Sequence, residues 1–277
     1  MDEDANPIEI PDDLRDPEQH VEIRLPARHN PILSAVVERV NADQELYALW
    51  QAANVNAVDR LGMSDHGPIH FQIVSNIALK MIRQLVDNGV VPSIVKDHGF
   101  TNNDAEVVVV LGSLLHDLGM SIHRSDHELY SLFVAQPKID DLLQGLYPTG
   151  PRTIVRSETL HAIISHRSDG RPMTFEAGVV RVADALDMSK GRSRIPFEAG
   201  LVNIHSLSAA SIEQIEIHAG TEKAIHIHVH MSNSAGVFQL DQLLKEKLNG
   251  SGLEKYVEVE ATIEGETEKR LVRIFRL

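Results

Sequence analysis

Fifteen of the 277 residues are histidine, and eight of them fall with three aspartates in one stretch: His66, His70, His98, the adjacent pair His116-Asp117, His123, His127, His161, His166, Asp184 and Asp187. Imidazole is a common metal ligand and the usual acid–base side chain near neutral pH. Mixed with carboxylates, it suits Mn, Fe, Zn, Co or Ni better than Ca or Mg. The chain has no cysteine, so thiolate zinc sites, iron–sulfur clusters, disulfides and cysteine nucleophiles are excluded. The chemistry open to these residues is therefore that of a nitrogen–oxygen metal centre.

Such a centre needs elements that bring distant donors together. Apolar residues recur at helical spacing from Pro68 to Asp87, and again from about Asn103 to the His116-Asp117 pair. The run Val107–Val110 is long enough to be a buried strand, but it continues unbroken past strand length, so a core helix is expected. A helix is also expected to start at Asn30-Pro31, with Ile32, Val36, Val37 and Val40 on one face, and further helices over about 43–60, 126–136, 138–146, 151–166 and 174–188. His70 then lies early in one helix, His116-Asp117 and His166 close two others, and His127 opens a fourth. Helix ends and facing positions in a bundle can converge on one cavity. Consecutive helical side chains diverge by about 100°, so His116 and Asp117 can flank one metal or serve two.

In this order the motifs resemble the HD-domain superfamily of metal-dependent phosphohydrolases. His70 with Val74 and Ala78 is similar to the family's first motif. Leu114-Leu115-His116-Asp117-Leu118-Gly119-Met120 resembles the HD signature, and Val180 to Asp187 resembles the closing Asp motif. Ser165 to Pro172 is similar to the His-then-Asp-Gly segment of HD-GYP phosphodiesterases without their full Gly-Tyr-Pro ending, so cyclic-di-GMP hydrolysis is not implied. The resemblance covers about 64–195 and implies two divalent transition metals. His70, His116, Asp117 and Asp184 would hold one; Asp117 would bridge to a second held also by His127 and His166. It further implies metal-assisted hydrolysis of a phosphate ester by an activated water, with Asp117 and His116 at its centre. Phosphate would be clamped by basic residues: Arg124, Arg167, Arg171, Lys190, Arg192 and Arg194 are the candidates. His66, four residues before His70, competes with it for the same face; His123 competes with His127, His161 with His166, and Asp187 with Asp184. These four are expected around the ligands rather than among them.

The same ligand set fits two rival readings: a di-iron oxygenase, or a nucleotide-sensing module without turnover. The cationic run Lys190 to Arg194 favours phosphate.

Three segments are expected: an acidic, proline-containing mobile arm (1–28), an HD-type helical domain (29–197), and a small α+β domain (198–277) with strands over 212–218, 224–231, 256–263 and 269–277 and a helix over 237–248. In the second strand His226, His228 and His230 share one face. Same-face neighbours stand nearly 7 Å apart along a strand, too far for all three to reach one ion, so that face is expected to be exposed or inter-subunit. A homo-oligomer is expected from the pairing edge such strands offer. The net charge of −14 argues against a nucleic-acid coat or a binder of anionic membranes. With no 20-residue apolar run and an acidic start, Met1-Asp2-Glu3-Asp4, a soluble cytoplasmic protein acting on a small phosphate compound is expected.

Overall fold

Asn30 accepts a hydrogen bond from Leu33 N–H and starts α1 (Pro31–Ala42), with proline at the first turn where its missing N–H costs nothing. Asp43 then caps α2 (Gln44–Asn54), which continues as a π turn to Arg60. In the computed structural model, which describes residues 21–188, 208–263 and 274–276, these are followed by α3 (Pro68–Asp87), α4 (Ser93–His98), α5 (Asn102–Leu115), α6 (His127–Leu143), α7 (Thr149–Ser165) and α8 (Phe175–Leu186).

The valine run is helical. Thr101 and Asp104 cap α5 reciprocally, and every residue from Asp104 to Leu115 is buried. A helix apolar on all sides must be surrounded, and α5 is packed by α3, α7, α8 and α1. Burying each such Val or Leu is worth roughly 1.5–3 kcal/mol. At α6 the structure differs: the two helices expected over 126–136 and 138–146 are one, with Pro137 inside it. Proline removes one intrahelical donor, but Ala135, Ile139, Leu142 and Leu143 are buried on both sides of it, and that packing holds the helix through the defect.

Part of the expected mobile arm is fixed. Ile23 is buried, and its backbone N–H and C=O pair with the Asn41 side chain; Gln72 likewise brackets the Arg24 backbone. Residues 1–20 lie outside the described residues, as do Lys190, Arg192 and Arg194.

The rest forms a sheet of order β1-β2-β3-β4: β1 (Ile212–Ala219), β2 (Ile225–Met231), β3 (Val257–Ile263) and the short β4 (Ile274–Arg276). β1 and β2 are an antiparallel hairpin, whereas β2 and β3 run parallel. A parallel pair needs a crossover, supplied by a helical segment, α9 (237–248), that is α-helical at its ends and π-helical over Leu240–Leu244. Ile225, Ile227, Val229 and Met231 face the core, in one hydrophobic cluster with the helices.

Candidate metal centre

His70 lies in the first turn of α3, His116 is the C-cap of α5, Asp117 follows it, His127 is the first residue of α6, His166 is the C-cap of α7, and Asp184 lies in the last turn of α8. The core around α5 brings these helix ends to one place. His70, His116, Asp117, His127 and His166 are all buried.

Asp117 sits at the middle, with its two oxygens facing different groups. Oδ2 is 3.5 Å from His116 Nε2 and 3.8 Å from His70 Nε2. Oδ1 is 3.0 Å from His127 Nε2 and 3.4 Å from His166 Nε2. Asp184 Oδ1 completes the first group, 3.7 Å from His70 Nε2 and 3.6 Å from His116 Nε2.

The far side of three of the rings assigns their tautomer. His116 Nδ1 donates to the Ser113 carbonyl at 2.8 Å and His166 Nδ1 to the Ile163 carbonyl at 2.6 Å. His70 Nδ1 donates to Asp187 Oδ2 at 2.6 Å. His127 Nδ1 has the Arg124 carbonyl at 3.1 Å and the Glu128 carboxylate at 3.2 Å. With the proton on Nδ1, the His70, His116 and His166 Nε2 lone pairs point inward, the arrangement that metal-ligating histidines adopt; His127 Nδ1 meets the donating Arg124 guanidinium at 2.8 Å as well as those acceptors, so its contacts assign no single tautomer. His70 Nε2 and His116 Nε2 stand only 3.2 Å apart, a repulsive contact between lone pairs that a cation or proton relieves. Among the described residues no hydrogen bond reaches the buried Asp117 Oδ1. Inward lone pairs and an unsatisfied buried carboxylate oxygen fit metal ions.

The electrostatics agree. Burial alone would raise Asp117, but His116, His127, His166 and His66 reverse this and hold it well below the usual carboxylate range. Burial is likewise outweighed at Asp184, chiefly by Lys247 and His116. Burial pushes His116 down, yet Asp117 and Asp184 together raise it, so without metal a proton substitutes for the cation. At His166 burial wins and favours the neutral ring.

Of the four flanking candidates, two join the site. Asp187 orients His70, as above. His66 is buried, its Nδ1 2.6 Å from the Ser64 carbonyl and its Nε2 3.8 Å from Asp117 Oδ2. His123 and His161 do not. His123 is exposed and interacts with Ser125; His161 Nε2 instead accepts the Met173 N–H, tying down the loop after α7. Of the phosphate-clamp candidates, Arg124 lies against the His127 ring, 2.8 Å from Nδ1. Arg167 is paired with Asp169, and Arg171 is exposed.

Lys247 is the residue the motifs did not reveal. It comes from α9, far along the chain, and its ammonium donates to the His166 carbonyl and sits 3.4 Å from Asp184 Oδ2. Arg181, 2 % exposed, fixes the same junction. It donates to the carbonyls of Arg167, Ser168 and Gly170 after α7 and of Glu246 and Lys247 in α9. Only the cationic type of Lys247 was readable in the sequence; its position depends on how α9 docks.

The HD domain family matches residues 69–189, which span all six inward-facing donors. An uncharacterized protein of Methanocaldococcus jannaschii, MJ1020, is 42% identical over 231 residues, 83% of this chain and 89% of its own. Ribonuclease Y of Desulforamulus reducens is 33% identical over 121 residues, 41% of this chain and 21% of its own. No solved structure matches the chain. No helix among the described residues is long and apolar enough to cross a membrane.

Proposed function

Because the chain belongs to the HD-domain family of metal-dependent phosphohydrolases, we propose that it hydrolyses a phosphate ester of a nucleotide or related small metabolite at a two-ion centre. The observation that carries this is Asp117, whose two oxygens each face a separate pair of imidazoles. His70, His116, Asp117 and Asp184 would hold one ion; Asp117, His127 and His166 the other. Bound divalent ions would supply an activated water and neutralise charge on the phosphoryl oxygens.

The protein's own groups do the rest. Asp187 and the Ser113 and Ile163 carbonyls keep His70, His116 and His166 in the ligating tautomer. Lys247 keeps Asp184 ionised and adds positive charge at the rim. Arg124, beside the His127 ring, would meet a phosphate oxygen. His66, the imidazole left over when six ligands are assigned, is suited to deliver a proton to the leaving oxygen. A protein named a ribonuclease shares part of this region, in keeping with phosphodiester chemistry, while the net charge of −14 favours a small substrate over a polymer.

The test is turnover of mono-, di- and cyclic nucleotide phosphates by protein reconstituted with Mn or Fe, beside an Asp117→Ala variant. Phosphate release by the first and a loss of at least about a thousandfold in the second is expected, since removing the bridge disables both ions. No release from metal-replete protein across the panel contradicts the reading, and oxygen consumption would redirect it to a di-iron oxygenase.

A further inference from the structure

The histidine face of β2 has partners that the strand alone does not reveal. In the β1–β2 ladder Glu216 stands opposite His228, Gln214 opposite His230 and His218 opposite His226. On the other side β3 places Glu260 beside His228, Glu258 beside His226 and Thr262 beside His230. One ligating atom from each of Glu216, His228 and His230 lies within 4.8 Å of the other two. Glu216 Oε2 is 3.8 Å from His230 Nε2, and the His228 and His230 rings lean together, their centroids 4.2 Å apart. The face is half-buried rather than open.

We propose that Glu216, His228 and His230 form a second metal site, remote in sequence from the HD donors, that takes a divalent ion of the zinc class. The spacing objection to three histidines on one strand still holds, and the site does not need the third. Two same-face imidazoles plus a carboxylate from the neighbouring strand give three donors around one point. In a tetrahedral shell with bonds of about 2.0–2.1 Å, donors sit about 3.4 Å apart. Small side-chain rotations close the present distances to that value. Two imidazoles and one carboxylate favour Zn, Co, Ni or Cu over Mg or Ca. The three leave an open position for water, the count found in accessible zinc sites.

The surroundings supply what a ligand set needs. His218 Nε2 lies 3.0 Å from Glu216 Oε2, orienting the carboxylate. His228 Nε2 is 3.0 Å from the Thr262 hydroxyl. An ion here would cross-link β1 to β2.

The test is zinc titration of the chelator-washed full chain, wild type against Glu216→Gln/His230→Asn, with cobalt absorption reporting tetrahedral coordination. Loss of one equivalent of tight zinc in the variant, with the remaining equivalents kept, is expected. Equal stoichiometry in the two proteins overturns the site. Should the double variant not fold, Glu216→Gln alone, a near-isosteric change on a partly exposed side chain, must weaken that equivalent at least tenfold. Unchanged affinity there overturns the proposal equally. The outcome is independent of the HD centre, because none of its donors is altered.

Discussion

His70 shows how much of the centre rests on single contacts. Its Nε2 faces Asp117 and Asp184, but what holds the ring in place is Asp187, whose Oδ2 takes the Nδ1 proton at 2.6 Å. Asp187→Ala removes that acceptor, leaving the ring free to turn and to place its proton on the ligating nitrogen. Metal affinity is expected to fall about 10–100-fold, read by competition with a chromophoric chelator; wild-type affinity would show that Asp187 does not orient the ring. The sequence placed Asp187 around the ligands because it is three residues from Asp184, on the same face of α8. Its partner was not readable, since His70 lies 117 residues earlier. Spacing within a helix predicts neighbours on that helix, whereas which histidine meets which aspartate is set by helix packing. His161 illustrates the limit: it has the right type and a plausible position, but its lone pair is taken by the Met173 N–H.

Between the helices, fit is set by backbone approach as much as by side chains. Gly119, in the turn just past the His116-Asp117 pair, donates its N–H to Ser131 Oγ. A Cβ at this position would lie 2.0 Å from the His127 carbonyl oxygen and 2.5 Å from Ser131 N. Both obstacles are backbone of α6, so Gly119→Ala must push away the helix whose first residue is His127. A cost of about 1–3 kcal/mol is expected from overpacking, read as a lower urea midpoint, together with weaker binding of the ion on the His127 side. An unchanged midpoint would mean that α6 yields without strain. The helices themselves were legible where periodicity was strong, as in α3 and α5. The break expected near Pro137 was not borne out because burial on both sides of the proline outweighs one lost hydrogen bond. The docking of α9 could not be read at all: its pattern marks an amphipathic helix, but not that Arg181 would bind its carbonyls or that Lys247 would reach Asp184.

At the scale of the whole molecule, the buried cluster couples stability to both protons and metal. In the metal-free protein His116 is raised above 6.5. The proton it holds therefore stabilises the fold fully below its unfolded pKa, and that contribution is lost as pH rises through the raised value. Asp117 and Asp184 are depressed below 3.8. Their ionised forms stabilise the fold above the unfolded value, and this is lost only as pH falls through the lowered ones. Metal-free protein should then be weakened first on the alkaline side, where the carboxylates remain charged and the His116 proton between them is gone. A divalent ion replaces the proton, so binding releases protons and strengthens as pH rises. At about a hundred times its dissociation constant, an ion that binds only the folded state adds about 2.7 kcal/mol. For a chain of this size each kcal/mol moves the melting temperature by roughly 2–4 °C. The melting temperature of Mn-loaded protein should therefore exceed that of EDTA-stripped protein by roughly 5–10 °C near pH 8, with the gap narrowing toward pH 6 as protons compete for His116. Scanning calorimetry of both forms across that range measures it. A gap that stays constant, or that widens toward acid, would mean the ion does not take the place of the proton on His116.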